Sequence, residues 1–178
     1  MDDHKVAFEA IFNATYEAIS GYVLRRCASP HDAADVVAET FAIAWRRVDE
    51  MPTGETARLW LYGVARRVLA NHRRGERQRR LRTTELGDEV AALIGDPLDA
   101  SIIAQVFREL SDDDREILGL VAWEGLGRDA IATVLGCSRG TVRVRLHRAR
   151  TRFSRALRRA GVEPAPMVMT RPATKESS

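Results

Sequence analysis

The chain has 178 residues, of which 45% are apolar and 30% charged, and its net charge is +3. This composition excludes wholesale disorder and suits one or two modest hydrophobic cores. Cys27 and Cys137 are far apart with no Cys-x-x-Cys spacing, which argues against a disulfide framework or zinc site and suits a reducing cytosol.

The N-terminus, MDDHKVAFEAIF, lacks the charged-then-apolar pattern of a signal peptide. No apolar run approaches the ~20 residues needed to cross a bilayer. The expectation is a soluble, cytoplasmic protein without membrane insertion. From Ala7 to Arg26, Phe8, Ile11, Phe12, Ile19 and Val23 recur at helical spacing. SPHD at 29–32 ends that helix and caps the next, because Pro30 and Asp32 suit a first turn. From Asp32 to Val48, the residues Ala34, Val37, Phe41, Ala44, Trp45 and Val48 are expected to form one apolar stripe. Asp32, Asp35 and Glu39 lie opposite it. Residues 1–50 hold 5 basic and 9 acidic side chains.

MPTG at 51–54 reads as a loop. A third helix starts near Glu55, with Leu61, Val64, Ala65, Val68 and Leu69 as its stripe, and fades into RRGERQRRLR. Residues 51–82 hold 9 basic and 2 acidic side chains. Three long helices with short loops predict a bundle. Residues 83–107 lack strong periodicity and read as a linker with a short helix near its end. LSDDDREILGLVAW then opens a second helical unit, with Ser111 as N-cap and three acids at the positive end of the helix dipole. Gly125 and Gly127 interrupt the chain, Ala130 to Leu135 is a short helix, and Gly-Cys-Ser is a turn. Residues 83–136 hold 3 basic and 12 acidic side chains.

The last helix is expected from Ser138 to about Arg159. Residues 137–160 hold 9 basic side chains and no acid. After Gly161, EPAPMVMTRPATKESS has three prolines and no periodicity, so 161–178 reads as a disordered tail. The fold class is all-α, with helical domains at 1–82 and 108–160 joined by a flexible linker. Two basic blocks separated by an acidic one suggest two contacts on one extended polyanion, nucleic acid.

A short helix, a glycine-containing turn and a longer helix make a helix-turn-helix, whose second helix enters the major groove. Val142, Leu146, Ala149 and Phe153 fall at i, i+4, i+7 and i+11 and form the face that packs on the domain. Arg143, Val144, His147, Arg148 and Thr151 then point outward, towards phosphates or guanine edges. Ser138, Gly140 and Thr141 sit where backbone N–H groups can meet a phosphate.

The stretch GLGRDAIATVLGCSRGTVRVRLHRARTRF resembles region 4 of bacterial RNA polymerase sigma factors, whose helix-turn-helix reads the −35 promoter element. DAADVVAETFAIAWRR resembles the region 2.2 helix, and WLYGVARRVLANHRR resembles region 2.3–2.4. Both units appear in the family's order with a short linker, as in the extracytoplasmic-function (ECF) class. Ala38, Arg67, Ala130 and Val144 depart from the residues usual in the family, without removing a core position.

The resemblance implies an alternative sigma factor that binds core RNA polymerase and promoter DNA. It assigns −35 contact to Ser138, Arg139, Gly140, Thr141, Arg143, Val144, His147, Arg148 and Arg150. It assigns −10 recognition to Trp60, Arg66, Arg67, Asn71, Arg73 and Arg74, with a flipped base taken by the loop Glu50–Thr56. Trp60 alone reads more readily as a core residue. Asp32, Asp35, Glu39, Arg46 and Arg47 would dock the clamp helices of the largest polymerase subunit, and the second unit its neighbour's flap. Asp32, Asp35 and Glu39 alone read as a solvated acidic face. The linker would pass near the active-site cleft and the RNA exit path. The family also implies an anti-sigma factor as partner, while the tail offers a regulatory appendix or a merely solvated end.

Two other functions lack their sequence signatures. His4, His31, His72 and His147 are scattered, with no His-Glu or His-x-x-x-His pairing, and there is no phosphate loop or nucleophile elbow. No enzyme, metal or cofactor is therefore expected. A helix-turn-helix regulator of the response-regulator type usually carries an α/β receiver, and the N-terminal half shows no strand pattern.

Overall fold

The structure is a computed structural model that describes residues 2–83 and 102–162. Their helices are α1 (Asp2–Leu24), α2 (Pro30–Arg46), α3 (Glu55–Thr83), α4 (Ile102–Arg108), α5 (Asp112–Ala122), α6 (Arg128–Leu135) and α7 (Arg139–Arg159). A 3-10 turn, Val48–Glu50, follows α2, and no strand occurs among the described residues. The expected linker lies largely, and the expected tail almost wholly, outside them.

Local chemistry sets the helix boundaries. The Ser29 hydroxyl accepts the Asp32 backbone N–H at 3.1 Å and donates to the Asp32 carboxylate at 2.6 Å. With Pro30 at the first helical position, this fixes where α2 begins. Ser111 caps α5 by accepting the Asp114 N–H at 3.3 Å, and Asp112 and Asp113 favour the positive end of that helix. Gly136 ends α6 at φ 63°, a left-handed conformation that disfavours a side chain. Two residues later Ser138 caps α7, so the helix-turn-helix is set by a glycine stop and a serine start.

The first unit packs α1, α2 and α3 against one another. Ile19, Tyr22, Val23, Val36, Leu61 and Ala65 are essentially inaccessible. The α2 stripe differs from the sequence reading. Its buried face is Ala33, Val36, Val37, Thr40, Phe41 and Ala44. Ala34 is exposed, and Trp45 is 47% exposed with the Phe8 ring edge-on to it at 5.1 Å. The reason is packing on two sides: α2 touches both α1 and α3, which widens its buried face and pushes Trp45 to the rim. The α3 stripe, Leu61, Val64, Ala65, Val68 and Leu69, is buried as expected.

In the second unit α7 packs on α4, α5 and α6. Phe107 of α4 lies 5.1 Å from Trp123 and 5.9 Å from Phe153, tying the short helix to both ends of the unit. The units also touch each other, with α6 against α3. One apolar core therefore runs through both, from Ile19 and Leu61 to Ile131 and Leu146.

Candidate nucleic-acid interface

The register of α7 follows the sequence reading. Val142, Leu146 and Ala149 are buried, at 0, 4 and 0% exposure, and Phe153 is half-buried against the core. Arg143, Val144, His147, Arg148 and Thr151 are exposed. Arg143, Val144, His147, Arg148 and the half-buried Arg150 line one shallow hollow. Arg128, at the start of α6, joins them there. The sequence reading missed Arg128 because it lies outside the basic block and before Ala130, where the short helix was expected to begin, whereas α6 starts at Arg128 itself.

At the start of α7, Arg139 and Gly140 are exposed. The Ser138 hydroxyl already accepts the Thr141 N–H at 3.1 Å and lies 2.9 Å from the Thr141 hydroxyl. That amide is thus engaged by the cap of the helix itself. Arg139 lies 3.4 Å from Asp129 on α6, an exposed ion pair across the turn. A second acid holds α7 from behind. Asp114 on α5 accepts both Nε and Nη2 of Arg152, each at 2.5 Å. This bidentate bond, with desolvation opposing it, holds the buried Asp114 carboxyl below the ordinary carboxylate value. Sequence reasoning did not single out Arg152, since one arginine among nine carries no mark of its partner.

The −10 candidates separate. Arg66, Arg67, Arg73 and Arg74 come together in one hollow, and Arg77 joins them. Asn71 is exposed but does not line it, and Trp60 sits towards the other end of α3. Trp60 lies in the second turn of α3, half-buried against the core. The Arg47 guanidinium stands 5.6 Å from its ring. The loop before α3 carries a buried Met51 and a glycine, Gly54, at φ 62°.

The polymerase-facing candidates also part company. Asp35, Glu39 and Arg46 are exposed on α2. Asp32 is half-buried and turned towards α3, where it lies 3.5 Å from His72 Nε2. Arg47 is the C-cap of α2 and bonds Glu50 rather than extending the helix face. Asp32 and His72 meet a third group, Glu76, 3.7 Å from His72 Nδ1. The expectation of no His–Glu pairing is therefore corrected: His72 and Glu76 are one turn apart. Their ligand atoms and that of Asp32 lie within 4.8 Å of one another. The two carboxylates face opposite ring nitrogens of His72. Burial, then Asp32, raises the neighbouring Cys27 thiol to about 11 despite Arg73, so it stays protonated at neutral pH.

A helix-turn-helix with an outward arginine face, standing beside a three-helix unit whose α3 arginines line a hollow shared with α5, defines a two-domain helical transcription factor. Comparison with known proteins specifies the class further. The family described as Sigma-70 region 2 matches residues 11–80, and that described as Sigma-70, region 4 matches residues 100–153. The chain is 32% identical over 163 residues to ECF RNA polymerase sigma factor SigL of Mycobacterium tuberculosis, covering 86% of this chain and 90% of SigL. It is 30% identical to RNA polymerase sigma-H factor of Pseudomonas aeruginosa, covering 86% and 87%. The fold is shared with sigma factor RpoE of Bartonella quintana, solved with the anti-sigma factor NepR, at a TM-score of 0.66 and 23% identity, covering 89% and 98%. The chain belongs to the ECF family of RNA polymerase sigma factors. Its function is that of an alternative sigma factor in transcription initiation, not that of a response-regulator protein. No helix among the described residues is long and apolar enough to cross a membrane.

Proposed function

We propose that this chain binds core RNA polymerase in the cytoplasm and places it on promoters carrying −10 and −35 elements. The domain at 1–82 recognises and melts −10, the domain at 108–160 reads −35, and 83–107 links them across the enzyme. The observation that carries this reading is the exposed face of α7, where Arg143, His147 and Arg148 share one hollow opposite a buried Val142–Leu146–Ala149 seam. A helix presented this way offers arginine forks to guanine edges in the major groove.

On α3, Arg66, Arg67, Arg73 and Arg74 meet the backbone of the opened strand, Asn71 a base edge, and Trp60 a stacked base. Asp35, Glu39 and Arg46 supply the exposed contacts to the polymerase clamp, with Asp32 and Arg47 at the margin. The chemistry of RNA synthesis belongs to the polymerase, and this chain contributes binding and strand separation. SigC and SigL of Mycobacterium tuberculosis carry the same family name, and RpoE of Bartonella quintana is held by an anti-sigma factor. Sequestration by such a partner is the corresponding proposal here.

Two weak DNA contacts held on one rigid enzyme gain through effective concentration. The free chain should therefore bind promoter DNA weakly and with steep salt dependence. Run-off transcription with purified core enzyme tests the proposal. Specific initiation from a two-element promoter is expected. A chain that neither binds core nor supports specific starts would overturn it.

A further inference from the structure

Val144 is an apolar side chain on a helix face otherwise made of arginine, histidine and threonine. It is 43% exposed, in the second turn of α7. Val142 and Leu146 are buried, and Val144 lies midway between them, about 200° around the helix from each. It therefore points away from the seam that holds α7 to the domain. Arg143, His147 and Arg148 line the same shallow hollow.

One turn earlier stands Gly140, which is also exposed. Its φ is not positive, and a Cβ added there would meet Ser138 Oγ at an ordinary 3.7 Å. The fold itself therefore does not require a glycine at this position. Neither residue favours the helix, since valine and, more so, glycine are poorer helix formers than alanine. Residues four apart share a face, and helical side chains lean towards the N-terminus. Val144 thus overhangs the gap that Gly140 leaves, and the pair makes a small apolar notch among cations.

From this arrangement we infer that Gly140 and Val144 seat the 5-methyl group of one thymine in the −35 element. Every base pair offers hydrogen-bonding groups in the major groove, and thymine alone adds a methyl. The arginines around the notch fix the register on phosphates and guanine edges. Valine is stiff at χ1, so it meets the methyl at little entropic cost. Set against a polar base edge, the same side chain would displace water and return no hydrogen bond. The notch therefore selects thymine by attraction and rejects other bases by exclusion. The inference rests on the reading of α7 as the −35 surface, and adds which base Val144 reads and by what group.

The test uses the full chain with core RNA polymerase. Transcription from a promoter library randomised in the −35 element yields a preferred template. Each thymine of that element, on either strand, is then replaced singly by deoxyuridine, which removes only the methyl. With the wild-type chain, one replacement should lower run-off initiation about fourfold, the weight of one methyl lost from an apolar contact (~0.8 kcal/mol). Val144→Ala should initiate equally from the thymine and uracil templates and relax base preference at that position alone. Gly140→Ala should melt no lower than the wild type and lose the same discrimination, which a merely structural glycine would not do. A preferred element of G·C pairs only overturns the inference. So does a replacement series without effect on the wild type, or a uracil effect that persists in Val144→Ala. If Arg143→Ala still alters upstream preference in those cases, the −35 reading survives. Upstream preference unchanged by both Arg143→Ala and Val144→Ala overturns the −35 reading and the inference with it.

Discussion

Arg143, His147 and Arg148 of α7 stand open to solvent, whereas Arg66 and Arg73 of α3 are half-buried beside the acids of α5. Both helices are arginine-rich, and composition alone marks both as basic. The difference lies in what each helix uses to hold itself in place. On α7 an apolar seam and the Asp114–Arg152 bond lie at the back, leaving Arg143, His147 and Arg148 exposed at the front. On α3 the apolar seam lies towards α1 and α2, and part of the basic front meets the other unit. Charge identifies a nucleic-acid face only together with its neighbours.

Removing the seam behind α7 should have the largest effect. Leu146→Ala deletes a residue that is 4% exposed, and such truncations cost about 2–5 kcal/mol. A thermal melt should show a large loss of stability, and −35 reading should go with it. Cutting back the front has a smaller and different effect. Arg143→Ala should cost ~1–3 kcal/mol at one or two −35 positions, with an unchanged melt. Arg139→Ala and Arg150→Ala should weaken all promoters alike, each lowering the salt slope of binding by about 1.

The bond behind α7 gives a pH-dependent effect. Asp114 is depressed in the folded chain, so it contributes stability fully above the unfolded carboxylate value near ~4 and loses it as pH falls through its lower folded value. Melts taken down that window should show the loss in the wild type and less of it in Asp114→Asn. The smallest effect is expected at the exposed Arg139–Asp129 pair. Asp129→Asn should leave the melt unchanged and tighten DNA binding slightly, because Arg139 no longer has a competing partner.

The parts legible in the sequence were those written in local spacing. Val142, Leu146 and Ala149 repeat at helical intervals, and one buried face is enough to orient α7. Ser111 and the Ser29–Asp32 stretch could be read as caps for the same reason, whereas Ser138, expected as the first residue of the last helix, is its N-cap. The stripe on α2 was placed less well, because a helix packed on two sides hides residues that a single face does not predict. Ala33 and Thr40 are buried while Ala34 and Trp45 are not. The pairing of Arg26 with Glu116 and Glu124 spans 90 and 98 residues and leaves no periodic trace. Asp32 with His72 is of the same kind, whereas His72 with Glu76 stood in the sequence at one-turn spacing and was overlooked. The basic α3 face was visible as a run of arginines, but the acids that line the same hollow were not, since they come from a helix beyond the linker.

Transcription from a promoter library randomised in both elements, with wild-type chain and Arg143→Ala compared on the same core enzyme, tests the reading of α7 most directly. The account predicts that Arg143→Ala changes base preference at one or two upstream positions and leaves the downstream element as it was. If Arg143→Ala instead scaled every promoter equally, α7 would be docked in another rotation, and its outward face would not be the surface that reads −35.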